Sequence, residues 1–264
     1  MHAKLLMHPS IPVTMQNCSF MLRSSCFSFP KNLSLSYNQR VSCFMNIRAI
    51  ITGTTGMVGE GVLHECLNHP DVESVLVINR RSCNVSHPKL KEIVHNDFYD
   101  FASIENELTG YNACFFCLGT TSVGKSEEVY THITFDLTKA FADTLIKHNP
   151  GMVFCYVSGT GTDSTEKGKI MWARVKGRTE NYLLNLGFKK AYMFRPGIIL
   201  PTKGLKNTLT MYKIFSPLLP IVRLLFPKHF CSLKEIGIAM INSVTRGYEK
   251  NLLEVKDIVM LAGR

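Results

Sequence analysis

The chain has 264 residues, with 30 Lys and Arg against 20 Asp and Glu, a net charge of +10, nine cysteines and one tryptophan. At 45% hydrophobic and 19% charged it has a globular composition, which excludes the disordered, collagenous and coiled-coil classes. It contains no apolar run of about 18 residues or more, so composition excludes a membrane-spanning helix.

The charge is unevenly spread. Met1 to Phe44 has no Asp, Glu or Gly but carries Lys4, Arg23, Lys31, Arg40 and eight serines. A Ser-rich, Arg-bearing, acid-free stretch is the composition of an organelle transit peptide. No amphipathic basic helix can be drawn through it, however. The favoured expectation is therefore a disordered leader or over-extended start over 1–44, with the fold beginning at Met45. That implies a cytoplasmic protein, with organelle import as the alternative if the leader is genuine. Residues 45–264 retain 26 basic against 20 acidic residues, a net of +6. They have no Lys/Arg run or aromatic–basic interleaving, so nucleic acid is not an expected partner.

From Met45 short β-branched runs alternate with longer amphipathic ones. Ile47–Thr52 reads as a first strand, with a helix over Met57–Leu67. Ser74–Ile78 is a second strand and Glu92–His95 a short third. Ala113–Leu118 is a fourth, apolar throughout as a strand buried on both faces should be. A helix over Ser126–His148 would bury Val129, Ile133, Leu137, Ala140, Phe141 and Leu145. Met152–Val157, a helix over Ile170–Leu186 and Lys190–Phe194 complete the series. This order predicts an α/β fold with a parallel, doubly wound sheet, whose ligands bind at the carboxyl ends of the strands. The C-x-x-C pair Cys114 and Cys117 falls on the fourth strand, where residues three apart face opposite sides. That argues against a metal or redox site.

Gly53-Thr54-Thr55-Gly56-Met57-Val58-Gly59 spells G-x-x-G-x-x-G between the first strand and first helix. The glycines would supply a tight turn, close approach to a pyrophosphate and close helix packing, and the helix N-terminus would attract phosphate. NAD-preferring proteins place a carboxylate about 20 residues later. Here the second strand ends in Asn79-Arg80-Arg81, which favours NADP over NAD.

These motifs, with Leu118-Gly119, Ser158, Lys176 and Arg195-Pro196-Gly197 at later strand and helix ends, resemble the short-chain dehydrogenase/reductase superfamily. More narrowly they resemble its atypical, epimerase-like branch related to the Tat-interacting oxidoreductase-like protein. The resemblance covers residues 45–264 and implies a Rossmann-type fold. It implies that Gly53, Thr55, Gly56, Met57, Val58 and Gly59 line the pyrophosphate. Arg80 would lie near the adenosine ribose, beside Asn79 and Arg81 of the same strand end, and Asp97 and Phe98 near the adenine. Leu118, Gly119 and Lys176 would hold the nicotinamide ribose, and Pro196, Gly197 and Ile198 would flank the nicotinamide.

The superfamily's catalytic set is Ser, then Tyr-x-x-x-Lys. Here Ser158 and Lys176 are in place, but Trp172 stands four residues before the lysine. An indole N–H donates a hydrogen bond but does not exchange its proton near neutral pH. Ser158, Trp172 and Lys176 are the catalytic candidates. Thr120, Thr121, Asp163, Glu166, His132 or a water are the alternative proton sources. The stretch over 198–232 would form a small substrate lid, walled by Tyr212, Phe215, Leu218, Leu219, Leu225 and Phe226. The rival reading of that stretch is weak membrane-surface contact through Lys213, Arg223 and Lys228. The expected function is an NADP-dependent oxidoreductase or epimerase acting on a carbonyl or sugar-like small molecule. The alternative is a non-catalytic NADP-sensing regulator or scaffold that binds a protein partner.

Overall fold

The computed structural model of the protein describes residues 46–207 and 229–263. Strands β1 (Ile47–Thr52), β2 (Val72–Asn79), β3 (Leu90–Val94), β4 (Ala113–Phe116), β5 (Val153–Val157), β6 (Lys190–Arg195) and β9 (Leu252–Glu254) form one sheet in the order β3-β2-β1-β4-β5-β6-β9. Every neighbouring pair in it is parallel. The chain runs outward from β1 to β3, then returns to place β4 on the other side of β1. That reversal leaves a crevice above the carboxyl ends of β1 and β4, where ligands bind in sheets of this kind.

Alternation along the strands sorts side chains into two cores. Ala49, Ile51, Phe115, Cys155 and Phe194 pack on one face against α1 (Met57–Asn68) and two C-terminal helices. Ile50, Cys114, Phe116, Phe154 and Met193 pack on the other, against α3 (Leu137–His148) and α4 (Met171–Asn185). Cys114 and Cys117 belong to different cores, so the C-x-x-C pair does point apart. Both thiols are pushed up, chiefly by burial.

Two elements differ from the sequence expectation. The strand expected over 113–118 ends at Phe116, because Cys117 and Leu118 turn out of the sheet toward the crevice. The single helix expected over 126–148 is divided. An α-helical turn, α2 (Glu127–Thr131), is capped by Ser126, whose Oγ accepts from Val129 N at 3.3 Å. A π-helical turn over His132–Asp136 follows, before α3. A π turn carries an extra residue and so rotates the side chains that follow. The buried face becomes Tyr130, Thr134, Phe135, Leu137 and Phe141, while Val129 is half exposed.

The C-terminus keeps the expected helix over Leu233–Val244 and the late strand expected, with a docking segment as the alternative, at Leu252–Val255, and adds a second small sheet. Leu252–Glu254 is the seventh strand of the main sheet, with Met193 in register with Leu252. β7 (Ile198–Leu200) and β8 (Phe230–Ser232) pair in parallel as a separate two-stranded sheet. α5 (Leu233–Thr245) starts on a capping box of Ser232 and Glu235, and α6 (Val255–Ala262) closes the fold. The apolar lid residues expected over 209–226, and Lys213, Arg223 and Lys228, lie outside the described residues. Among the described residues no helix is long and apolar enough to cross a membrane.

Candidate functional site

The glycine turn is built by sterics. Gly53 has φ +75°, and a Cβ on it would lie 2.7 Å from Cys117 O. A Cβ on Gly59 would lie 2.2 Å from Gly53 O, so α1 can seat this close to β1 only with hydrogen there. Gly56 is different: its Cβ would come within 3.3 Å of Gly53 O, and the residue opens onto the crevice. Gly56 caps α1 with no side-chain partner, leaving the helix N-terminus for a ligand. Met57 and Val58 turn their side chains into the core, so they can offer only backbone to a ligand. The crevice has a volume of about 500 Å³ and is lined by Gly53, Thr55, Gly56, Asn79, Arg80, Arg81, Cys117, Leu118 and Gly119. A turn that excludes a Cβ at Gly53 and at Gly59 and ends at an uncapped helix fits a dinucleotide pyrophosphate.

At the β2 end, Asn79 braces the turn. Its Oδ1 accepts from Thr54 N at 3.2 Å, and its Nδ2 donates to Thr54 Oγ1 at 2.6 Å. Arg80 and Arg81 are exposed on the crevice rim and have no ion pair among the described residues. Glu92, the carboxylate bonded to this turn, accepts from Ser82 Oγ at 2.6 Å, Cys83 N at 2.8 Å and Asn79 Nδ2 at 3.3 Å. Burial would raise Glu92, but these bonds outweigh it and hold the carboxyl below its ordinary range. Asp97 is exposed and caps its own turn by accepting from Tyr99 N at 2.9 Å. Phe98 is buried against Phe101 and Phe141, so its ring belongs to the core rather than to a ligand surface. Sequence reasoning missed Tyr99, which stacks on His132 with ring centroids 4.5 Å apart.

At the β5 end, Lys176 Nζ donates to Ser158 O at 2.7 Å and lies 6.0 Å from the centre of the Tyr156 ring. Burial lowers its pKa to about 8, partly opposed by Glu180. Leu118 packs on the core edge, and Pro196 is buried with its carbonyl accepting from Thr160 N at 3.0 Å. Gly197 lies against His229 O, and Ile198 is exposed on β7.

Ser158 does not present its hydroxyl to the crevice. It donates to Glu180 Oε1 at 2.5 Å, and Glu180 is fully buried in a two-point ion pair with Arg195. Sequence reasoning missed Glu180, although its spacing of four from Lys176 places both on one face of α4. Trp172 is half-buried against the cluster of Tyr130, Phe135 and Val175, with its ring edge on Gly161. Its indole N–H has no partner among the described residues.

The alternative proton sources have other positions. Asp163 accepts from Thr165 Oγ1 and from the N–H groups of Thr165 and Gly168, and these hold it below the usual carboxylate range. Glu166 accepts from Asn181 Nδ2 at 2.6 Å, beside a separate surface hollow. His132 Nδ1 lies 3.2 Å from Asp136 Oδ2. Thr120 and Thr121 are exposed, and Thr121 Oγ1 accepts from Val123 N. No group of His, Cys, Asp and Glu suited to a metal occurs among the described residues.

A profile of the NAD dependent epimerase/dehydratase family matches residues 49–178, which spans the glycine turn, β5 and Lys176. A protein of Aspergillus terreus named fmp52-1, mitochondrial, is 32% identical over 162 residues, covering 58% of this chain and 67% of that one. Protein HTATIP2 of Rattus norvegicus is 26% identical over 158 residues, covering 59% and 64%. The matches thus span about two thirds of these relatives' lengths. The Bordetella bronchiseptica enzyme WbmF, solved in complex with NAD+, shares the fold with a TM-score of 0.57 at 14% identity, over 83% of this chain and 77% of that one. The fungal relatives are named as mitochondrial proteins, which overturns the expectation of a cytoplasmic location. That expectation rested on discounting the composition of residues 1–44, which resembles a transit peptide. The glycine turn on its strand end, Lys176 on the helix after β5, and these matches give one conclusion: the chain belongs to the NAD dependent epimerase/dehydratase family.

Proposed function

We propose that residues 45–264 bind NADP in preference to NAD and act as an oxidoreductase or epimerase on a carbonyl or sugar-like small molecule. The observation that carries the cofactor choice is the pair Arg80 and Arg81, exposed at the crevice rim and without an ion pair among the described residues, where an NAD-preferring protein would present a carboxylate. Two guanidiniums suit a 2′-phosphate through charge-assisted bonds. The relatives' names, together with the acid-free 1–44 composition, support a mitochondrial location.

Bound nicotinamide would supply or take up the hydride. The chain's own part is to hold the pyrophosphate on the glycine turn and α1, to bind the nicotinamide ribose through Lys176, and to manage a proton. With Ser158 turned inward, Lys176 and the Trp172 indole N–H are the donors left of the expected catalytic set. The indole can orient a substrate oxygen but cannot protonate it. An ammonium titrating near 8 can release a proton at working pH.

The inward Ser158 and the Trp172 substitution also favour a second reading, in which the domain binds NADP without turning over and reports it to a protein partner. Trp172 is the single tryptophan, so titrating NADPH and NADH against its fluorescence tests binding and preference together. No response to either nucleotide, with binding also absent by calorimetry, would remove the proposal. Turnover on a carbonyl panel separates the two readings.

A further inference from the structure

We infer that Ser158, Glu180 and Arg195 are a positioning set that seats and charges Lys176, and that Ser158 does not act on the substrate. The inference rests on the reading of Lys176 as the residue that meets the nicotinamide ribose, and the titration that tests it is independent of cofactor binding.

The geometry runs inward from the ammonium. Lys176 Nζ donates to the Ser158 carbonyl at 2.7 Å, and the same serine's hydroxyl donates to Glu180 Oε1 at 2.5 Å. One residue therefore meets Lys176 with its backbone and Glu180 with its side chain. Glu180 follows Lys176 by one turn of α4, so its charge lies along the same helix face. Arg195 fixes that carboxylate at two points, Nε to Oε1 at 3.0 Å and Nη2 to Oε2 at 2.5 Å. Its remaining bonds reach Ser164 Oγ at 2.6 Å and Glu254 Oε1 at 3.2 Å. One guanidinium thus ties together β6, α4, β9 and the loop after β5, and holds a buried anion behind the lysine.

The other titratable groups around Lys176 do not supply this charge. Tyr156 of β5 presents its ring, and its phenol is pushed up first by burial and then by Tyr130 and Glu180, so it stays neutral. Tyr130 of α2 is pushed up by burial and is neutral as well. Glu180 is the anion that favours the ammonium, against the desolvation that opposes it. A serine whose hydroxyl is engaged by a buried carboxylate is a poor polariser of substrate, because turning it outward would leave that carboxylate one bond short.

The test is the pH titration of the Lys176 ¹³Cε resonance in the full chain without nucleotide, assigned with Lys176→Arg. The wild-type midpoint is expected near 8. Glu180→Gln removes the buried anion and leaves Arg195 balanced only by the half-exposed Glu254, so it should lower the midpoint by about one unit. Ser158→Ala should lower it by less, and Glu180→Asp should restore most of it. If Glu180→Gln does not fold, Glu180→Gln with Arg195→Gln leaves no unpaired buried charge and should give a smaller shift of the same sign. An unchanged midpoint in the folded Glu180 variant overturns the inference. So does a Ser158→Ala protein that keeps its midpoint and nucleotide affinity but loses turnover, since that assigns the hydroxyl to the substrate. A wild-type protein that bound no nucleotide would sink the functional proposal and leave this titration intact.

Discussion

Arg80 and Arg81 carry the cofactor choice, and a charged hydrogen bond contributes about 1.5–3 kcal/mol. Replacing both with Ala is expected to weaken NADPH roughly 10- to 100-fold while leaving NADH within about threefold, by Trp172 fluorescence or calorimetry. Lys176 sets a pH dependence. Its ammonium is complete well below its pKa of about 8 and lost above it, so dinucleotide affinity should fall as pH rises through 8, and Lys176→Met should flatten the curve. The sign for stability is opposite. Between about 8 and the ordinary lysine value the unfolded chain holds the proton that the folded chain has released, so this group favours folding more as pH rises through that window. Both arginines and the lysine are legible as residues, because they stand at fixed offsets from strand ends. The role of Ser158 is not. Which way a hydroxyl turns depends on Glu180, 22 positions away in the chain, and on Arg195, which fixes Glu180 from 15 positions further on.

Among the elements, the glycine turn separates two kinds of need. Gly59→Ala forces a Cβ to 2.2 Å from the Gly53 carbonyl and should displace α1, lowering thermal stability and abolishing nucleotide binding together. Gly56→Ala meets only a 3.3 Å contact, so it should keep the fold by circular dichroism but weaken the dinucleotide, whose pyrophosphate would approach that Cβ. The strands were readable because β-branched runs buried on both faces have no helical alternative of the same length. The π turn over His132–Asp136 was not readable. The apolar spacing from Val129 to Leu145 fits an unbroken helix equally well, and only packing of Tyr130 and Phe135 against α4 selects the rotated face. The end of β4 at Phe116 was hidden for a similar reason: Cys117 and Leu118 are as apolar as a strand and leave the sheet only where the glycine turn crosses it.

At the scale of the molecule, a ligand that binds only the folded chain stabilises it by mass action. NADPH at about 100 times its Kd should contribute about 2.7 kcal/mol and raise Tm by roughly 5–10 °C, with a smaller rise for NADH at equal concentration. Equal shifts for both nucleotides would argue against NADP preference. The sheet also takes in the C-terminus, where Leu252–Glu254 closes its edge beside β6. Leu253 is fully buried there, so Leu253→Ala should cost about 2–5 kcal/mol by denaturant titration.

By itself the sequence determined the order of strands and helices, the doubly wound sheet, the glycine turn and the absence of a tyrosine four residues before Lys176. Each of these follows from local periodicity or from spacing along the chain. The tertiary structure decided which of the named residues face the crevice. It turned Phe98 into the core, made Asn79 a brace for Thr54, and closed Ser158 onto a buried Glu180–Arg195 pair. The physical reason is the cost of burying a charge or a polar group without a partner. Satisfying Glu180 requires groups from β5, α4 and β6 at once, and only the folded chain brings them together.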